Sequence, residues 1–200
     1  MGKVITISRE FGSGGRTIGK ALAEQLGIHF YDKDLILKTA EETGLSQKYI
    51  EQQGEHSPLK NIFAYAFVGR DSTGASMDDY VFQAQRKIIL ELAEQEDCVI
   101  VGRCADFILK DKADAIHIFL HGEKEEKCKR ICELYGKSQE ESYKLLKEMD
   151  KKRAINYKYC TDAEWGRARN YTMSLNTSVL GYEQCVELIA QIYKTHNKKN

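Results

Sequence analysis

The chain has 200 residues, 42% of them hydrophobic and 30% charged, a balance typical of a folded globular domain rather than a disordered segment. Its 30 basic and 30 acidic side chains cancel to a formal net charge of +0. That balance argues against broad binding to nucleic acid or to a membrane surface, because both need a surplus of positive charge. No apolar run has the length of a signal peptide or a membrane span.

The six cysteines are irregularly spaced and include no C-x-x-C pair, so the sequence does not predict a secreted disulfide framework. Reduced thiols are typical of the cytoplasm, and we predict a cytoplasmic protein. Cys128 and Cys132 lie one helical turn apart, but no second pair of cysteines or histidines is in register with them. Two half-buried helix cysteines are expected there rather than a zinc site.

Strands and helices alternate from the N-terminus onward. Residues 3–8 form an apolar, β-branched run typical of a buried parallel strand, and residues 17–26 carry apolar side chains at helical spacing. Further strands are predicted at residues 28–31, 97–102, 113–120 and 171–177. Further helices are predicted at residues 32–43, 77–96, 105–109, 123–135, 138–155 and 181–195. Such alternation predicts a parallel sheet covered by helices on both faces.

The junction of the first strand and the first helix carries the strongest functional signal. Gly12, Gly14 and Gly15 precede a helix N-terminus, where backbone N–H groups converge and the helix dipole adds partial positive charge. Glycine permits the close approach and the positive φ that such a loop requires. Residues 9–17 therefore predict a phosphate-binding loop, and the alternative is a glycine-rich turn without a ligand.

This loop departs from the usual pattern G-x-x-x-x-G-K-[ST]. With Gly15, Arg16 and Thr17 in the last three positions, Glu10 replaces the first glycine and Arg16 replaces the lysine. Arg16 would then supply the cation, although a guanidinium group is planar and bulkier than an ammonium group. The Thr17 hydroxyl group would reach Mg²⁺.

Five segments in chain order resemble the cytidylate kinase-like family, which is related to bacterial cytidylate kinases. They are residues 4–26 (VITISREFGSGGRTIGKALAEQL), 99–103 (VIVGR), 118–130 (IFLHGEKEEKCKR), 150–157 (DKKRAINY) and 171–177 (YTMSLNT). The first segment resembles the opening strand, glycine loop and helix of these kinases, and the last resembles their final strand. The resemblance is weakest over residues 43–78, where cytidylate kinases carry an acceptor-binding insert.

The resemblance implies a three-layer α/β/α P-loop fold with a five-stranded parallel sheet, a helical acceptor-binding insert and a short lid. A single kinase domain would span residues 1–200, with its core at residues 1–42 and 97–200, the insert at about 43–96 and the lid at about 148–170. The implied reaction is phosphoryl transfer from ATP, with Mg²⁺, to a nucleoside monophosphate, and CMP or dCMP would be the first acceptors to test. The expected partner is thus a small nucleotide, not nucleic acid or a membrane.

The resemblance also suggests roles for individual residues. The ATP phosphates would be bound by Gly12, Ser13, Gly14, Gly15, Arg16 and Thr17, with Thr17 also at the metal. Charge on the transferring group would be neutralised by Arg16, Arg103, Arg130, Lys152 and Arg153. The acceptor would be bound by Asp32, Arg103 and Asp106. The alternatives are surface charges on solvated helices for Arg130, Lys152 and Arg153, and helix caps for the two aspartates.

Two further functions remain open at this point. Cytidylate kinases place an aspartate where this chain has Val101, so a carboxylate that would help hold Mg²⁺ is absent there. That departure and the altered insert are compatible with a kinase for another small metabolite. The missing loop lysine is compatible with a non-catalytic protein that binds nucleotide without turnover.

Overall fold

The computed structural model describes residues 2–50, 76–111 and 114–196. Within these ranges the chain forms one five-stranded, all-parallel sheet flanked by helices, which confirms the predicted α/β class. Much of the predicted insert, residues 51–75, lies outside the described residues. No helix among the described residues is both long and apolar enough to cross a membrane.

The sheet consists of β1 (Lys3–Arg9), β2 (His29–Tyr31), β3 (Cys98–Val101), β4 (Asp114–His121) and β5 (Met173–Asn176). Its strand order is β2-β3-β1-β4-β5, which places β1 at the centre between β3 and β4. The strands on one side of β1, β2 and β3, come earlier in the sequence than those on its other side, β4 and β5. The carboxyl ends of β1 and β3 therefore lie beside a topological switch point, where open α/β sheets bind ligands.

The helices are α1 (Gly15–Leu26), α2 (Lys33–Thr43), α3 (Met77–Gln95), α4 (Ala105–Ile108), α5 (Lys124–Tyr135), α6 (Gln139–Thr161), α7 (Thr177–Leu180) and α8 (Tyr182–Thr195). A 3₁₀ turn follows α6 at Ala168–Asn170. Capping boxes begin α3 at Ser76 and α6 at Ser138. Each serine hydroxyl group accepts a hydrogen bond from the N–H of the third helical residue, and the carboxylate of that residue accepts one from the serine N–H. Gly27 ends α1 with a left-handed φ of 66°.

Helices bury both faces of the sheet. On one face, Ile5 of β1 packs with Leu22 of α1 and Ile189 of α8, and all three are fully buried. On the other face, Val4 of β1 packs with Ile89 of α3, which is also fully buried. Neighbouring strand residues point to opposite faces, so strands buried on both faces are largely apolar. That is why the strands could be read from short apolar runs.

The largest departure from the predicted elements is the length of α6, which continues to Thr161 instead of ending at residue 155. Its last turns are held by one tertiary contact and one contact within the helix. The Tyr157 hydroxyl group donates to the buried Asp106 carboxylate at 2.7 Å, and Thr161 Oγ1 donates to the Tyr157 carbonyl one turn earlier at 2.6 Å. The extension keeps Asn156 and Tyr157 on the same helix as Arg153.

Candidate active site

The glycine loop connects β1 to α1 as predicted. Gly12 and Gly14 have left-handed φ values of 82° and 83°, which L side chains rarely adopt. No side chain caps the N-terminus of α1, so the N–H groups of its first turn are not consumed by a cap. These donors and the helix dipole favour an anion at this point.

Two glycines of the loop have no space for a side chain. A Cβ atom at Gly12 would lie 2.8 Å from the carbonyl oxygen of Lys127, and one at Gly14 would lie 2.6 Å from the Tyr182 ring. Ser13 between them is 1% exposed, and its hydroxyl group donates to the Glu10 carbonyl at 2.9 Å. The loop is therefore packed against both α5 and α8.

A buried lysine fixes the beginning of the loop. Lys127 of α5 is 6% exposed, and its Nζ lies 2.5 Å from Glu10 Oε2 and 3.7 Å from Asp150 Oδ2. Glu10 also accepts from the Gly122 N–H at 3.3 Å, and Asp150 of α6 accepts from the Phe11 N–H at 2.6 Å. Burial raises the pKa of Asp150, while the Phe11 N–H and Lys127 oppose that rise. Glu10, at the usual position of the first loop glycine, thus ties the loop to its supporting helices.

An open cleft adjoins the loop at the carboxyl ends of β1 and β3. Four arginines line it: Arg9, Arg16, Arg103 and Arg153. Among the described residues of the lining, Asp32 contributes the one carboxylate. The cleft therefore has a surplus of positive charge, which favours an anionic ligand.

Arg16 and Asp32 form an ion pair through Arg16 Nε and Asp32 Oδ2. The Arg16 side chain is 61% exposed, whereas that of Asp32 is 11% exposed. Asp32 immediately precedes α2 but makes no capping hydrogen bond with its side chain. Its carboxylate therefore acts at the cleft, and the alternative of a helix cap does not describe it.

The backbone that presents Arg103 is strained. Gly102, Arg103 and Cys104 have consecutive left-handed φ values of 79°, 56° and 54°. For residues other than glycine this conformation costs about 1–2 kcal/mol each, and such strain persists mainly where function requires it. Arg103 Nη1 lies 3.5 Å from the Ile50 carbonyl oxygen. The strained turn places a guanidinium group at the carboxyl end of β3, as the sequence predicted.

The two predicted lid cations occupy different surroundings. Arg153 of α6 donates from Nη1 to the Arg9 carbonyl at 3.1 Å, and its guanidinium carbon lies 5.4 Å from the centroid of the Phe11 ring. Lys152 pairs with Glu148 one turn earlier in the same helix, at 2.6 Å. Within the described part of the chain, Arg153 lines the cleft and Lys152 does not.

Asp106 lies behind the cleft wall. Its carboxylate is 3% exposed and accepts hydrogen bonds from Ser8 Oγ at 3.2 Å and from the Tyr157 hydroxyl group at 2.7 Å. Burial raises the pKa of Asp106, and these two hydroxyl groups oppose the rise. Ser8 and Tyr157 themselves line the cleft. The predicted contact of Asp106 with an acceptor would therefore run through the hydroxyl groups that it holds.

A second groove lies on the other side of the loop, bounded by Gly12, Arg130, Ser178 and Tyr182 among others. Arg130 Nη2 donates to Thr17 Oγ1 at 2.8 Å, and the Arg130 guanidinium carbon lies 4.9 Å from the centroid of the Tyr182 ring. A planar cation and an aromatic ring beside a phosphate-binding loop suit the stacking of a nucleotide base. Arg130 is thus separated from the arginines of the cleft.

The donor atoms for a metal are sparse. No group of three His, Cys, Asp or Glu side chains among the described residues could hold a metal ion. Cys128 Sγ donates to the Gln139 carbonyl and Cys132 Sγ donates to Ser142 Oγ, so neither thiol of the considered zinc pair faces a metal site. Mg²⁺ usually keeps several waters and binds through substrate phosphates with one or two protein ligands. Thr17 therefore fits a Mg²⁺ site that a bound nucleotide would complete.

Sequence reasoning missed some residues of the cleft and gave one of them no role of its own. Arg9 begins the predicted loop of residues 9–17, but no role was assigned to its side chain. It ends β1 at the same edge of the sheet as Arg103, so the rule that ligands bind at strand ends could have indicated one. Asn156 and Tyr157 follow Arg153 by three and four residues and share its helix face. They were missed because the predicted helix ended at residue 155. Trp165 also lines the cleft, and no pattern in the sequence indicated it.

Comparison with known proteins agrees with this geometry. The sequence model of the cytidylate kinase-like family matches residues 4–179, whereas no curated protein matches the chain. An uncharacterized protein from Eubacterium ventriosum has a similar structure, with a TM-score of 0.71 and 26% identity over 96% of this chain and 98% of that chain.

Two shikimate kinases share the fold at lower identity. That from Bacteroides thetaiotaomicron has a TM-score of 0.53 and 16% identity over 96% of this chain and 98% of its own. The shikimate kinase from Acinetobacter baumannii, solved in complex with shikimate, has a TM-score of 0.53 and 17% identity over 100% of this chain and 96% of its own. The architecture is therefore that of P-loop kinases.

The buried lysine generates a stability prediction. Lys127→Met leaves Glu10 and Asp150, whose side chains are 27% and 19% exposed, without their shared cation, and leaving partly buried polar groups without their partner costs about 1–3 kcal/mol. We expect a loss of that size in the free energy of unfolding, measured by urea titration at neutral pH. The double variant Lys127→Met, Glu10→Gln should lose less, because it removes one of the two stranded charges.

The matched control is Lys144→Met. Lys144 pairs with Glu140 on the surface of α6, with side chains 75% and 79% exposed, and exposed pairs contribute at most about 1 kcal/mol. Equal losses for Lys127→Met and Lys144→Met would contradict a buried anchor beneath the loop.

Asp106 generates a prediction about pH. Because its folded-state pKa is raised above 3.8, the native protein keeps this proton at a pH where the unfolded chain has lost it. Stability from this group is present at low pH and is lost as the pH rises through the folded pKa. Asp106→Asn cannot ionise, so its free energy of unfolding relative to wild type should increase from about pH 4 to pH 7. A difference that is constant over this range would contradict the raised pKa.

Proposed function

The chain belongs to the cytidylate kinase-like family, and from this premise we propose that it transfers a phosphoryl group from ATP to a nucleoside monophosphate, with CMP and dCMP as the first acceptors to test. Fold and family are those of nucleotide-dependent kinases. The observation that carries the proposal is the cleft with four arginines beside the glycine loop. Phosphoryl transfer depends mainly on positioning and charge neutralisation, which such a cleft supplies.

The donor nucleotide would bind on the side of α1 and α5. Its phosphates would be held by the backbone N–H groups from Gly14 to Thr17, at the start of the α1 dipole. Its base would lie in the groove with Arg130 and Tyr182, where the guanidinium group and the ring provide flat surfaces. Ser13 supports the loop from within, because its hydroxyl group is bonded to the Glu10 carbonyl.

The acceptor would bind in the cleft between the loop and α6. A phosphate group on the acceptor would be neutralised by Arg103 and Arg153, which reach the cleft from β3 and α6. The polar groups of Ser8 and Tyr157, held by the buried Asp106, are available for hydrogen bonds to the rest of the acceptor. Arg16 and Asp32 lie at the same cleft, where Asp32 would contact the acceptor.

Mg²⁺ brought in with ATP would offset negative charge on the phosphates. In this chain the Thr17 hydroxyl group is the group among the described residues that fits it, and Thr17 Oγ1 accepts a hydrogen bond from Arg130 Nη2 at 2.8 Å. A hydroxyl oxygen has two lone pairs, so Thr17 can keep this hydrogen bond and still offer the other lone pair to a cation. The bond holds the Arg130 guanidinium group beside the loop, from where it would contact nucleotide phosphate on the side of the groove.

An acceptor screen tests the proposal. Purified protein with ATP and Mg²⁺ is offered CMP, dCMP, UMP, AMP, GMP and a panel of hydroxylated carboxylic acids, and ADP release is measured by a coupled assay. We expect ADP release that depends on a nucleoside monophosphate. ADP release only with a non-nucleotide acceptor would favour a kinase for another metabolite. Binding of ATP by calorimetry without ADP release from any acceptor would favour a non-catalytic nucleotide-binding protein.

The variant Arg103→Gly tests whether Arg103 binds the acceptor without destabilising the fold. Glycine relieves the left-handed strain at this position, so the melting temperature should be unchanged or higher. Loss of a charged hydrogen-bonding partner should lower kcat/KM for the acceptor about 10–100-fold, chiefly through a higher KM. Arg86→Ala, an exposed arginine of α3 outside the cleft lining, is the control and should leave kcat/KM unchanged. An unchanged KM for the acceptor in Arg103→Gly would remove Arg103 from the acceptor site.

A further inference from the structure

The loop lacks the lysine that usually contacts the β- and γ-phosphates, and the structure points to a substitute other than the residue at the lysine's position. We propose that Arg9, the last residue of β1, supplies the cation that contacts the transferring γ-phosphoryl group. The inference rests on the proposed function, because it assigns a catalytic residue to that reaction. It comes from the path of the Arg9 side chain through the site.

The stem of Arg9 occupies the space where a side chain at Gly15 would lie. A Cβ atom at Gly15 would be 2.8 Å from Arg9 Cβ and 2.7 Å from Arg9 Cγ. Gly15 is not among the glycines with positive φ, so its backbone would accept an ordinary residue. The reason for glycine at the first position of α1 is therefore the passage of Arg9, not the conformation of the loop.

The guanidinium group of Arg9 occupies the space where a side chain at Gly102 would lie. A Cβ atom at Gly102 would overlap Arg9 Nη1 and would lie 3.1 Å from Arg9 Cζ. Gly102 follows β3, and its N–H donates to the Ile7 carbonyl of β1 at 3.0 Å, so this turn is fixed to the same strand as Arg9. The side chain thus runs in a slot between Gly15 and Gly102, and Arg9 reaches the lining of the cleft.

This slot lies between the two halves of the proposed site. On one side is the N-terminus of α1, whose N–H groups would hold the nucleotide phosphates. On the other side is the strained turn that carries Arg103, proposed for the acceptor. A guanidinium group between donor and acceptor faces the position where charge develops during transfer, and a fixed cation there is most effective.

Arg16 is less suited to this task. Its side chain is 61% exposed, and its guanidinium group is neutralised by the Asp32 carboxylate. Exposed, paired charges contribute little to binding because water and the counter-charge screen them. The planar fork of an arginine also differs in shape from lysine, so a loop that lost its lysine could take the cation from a neighbouring strand end.

Binding of ATP and ADP to Arg9→Met and Arg16→Met, measured by calorimetry, tests the assignment without requiring turnover. Methionine keeps an unbranched stem in the slot and removes only the charged head. We expect wild type to prefer ATP over ADP. Arg9→Met should lose about 10–100-fold in affinity for ATP and less than about threefold for ADP, whereas Arg16→Met should keep the preference. Arg9→Lys, with a compact cation, should retain more ATP affinity than Arg9→Met.

Turnover provides the second readout, since removal of a fixed donor to a developing charge lowers kcat by about 10²–10³-fold. Thermal unfolding must first show that Arg9→Lys and Arg9→Met are folded alike. The assignment is overturned if Arg9→Met keeps the ATP preference or full kcat, if wild type has no such preference, or if Arg9→Lys binds no better than Arg9→Met. If Arg9→Met loses ATP affinity while wild type releases no ADP with any acceptor, the proposed reaction fails but the phosphate contact stands.

Discussion

The glycine loop keeps its shape because its neighbours leave the glycines no space. Gly12 lies against the backbone of Lys127, and Gly14 lies against the ring of Tyr182. These neighbours come from α5 and α8, which are far from the loop in sequence, so the loop is completed only when the sheet and its covering helices have assembled. A loop fixed in this way presents its N–H groups without reorganisation, and preorganised donors are what a highly charged ligand requires.

The charge cluster around Lys127 connects the loop to the cleft. Asp150, which accepts a hydrogen bond from the Phe11 N–H, belongs to the same helix as Arg153 and Tyr157 of the cleft. The position of α6 relative to the loop is therefore fixed by a direct hydrogen bond. Buried ion clusters contribute less to stability than apolar packing of the same volume, but they fix geometry when every member is satisfied. Here that geometry would set the distance between donor and acceptor.

Several parts of the site could be predicted from the sequence, and others could not. The loop was recognisable because strand, glycines and helix are consecutive, and Arg103 because it follows a buried strand. Arg9 lay within the predicted loop, but the role proposed for its side chain was not recognisable, since it depends on the spaces left by Gly15 and Gly102, which are distant from each other in the chain. Nothing in the sequence singled out Lys127 among its charged neighbours, and it is buried because Glu10 and Asp150 meet it from other elements.

The sequence by itself determined the alternation of strands and helices, the position of the glycine loop and the family, because apolar periodicity and loop chemistry are local properties of the chain. Apart from the longer α6, the element boundaries differ from the predicted ones by at most two residues. Only the tertiary structure decided which cations converge. Parallel strands pair through long crossovers, so the order β2-β3-β1-β4-β5, and with it the meeting of Arg9, Arg103 and Arg153, is a property of the assembled sheet.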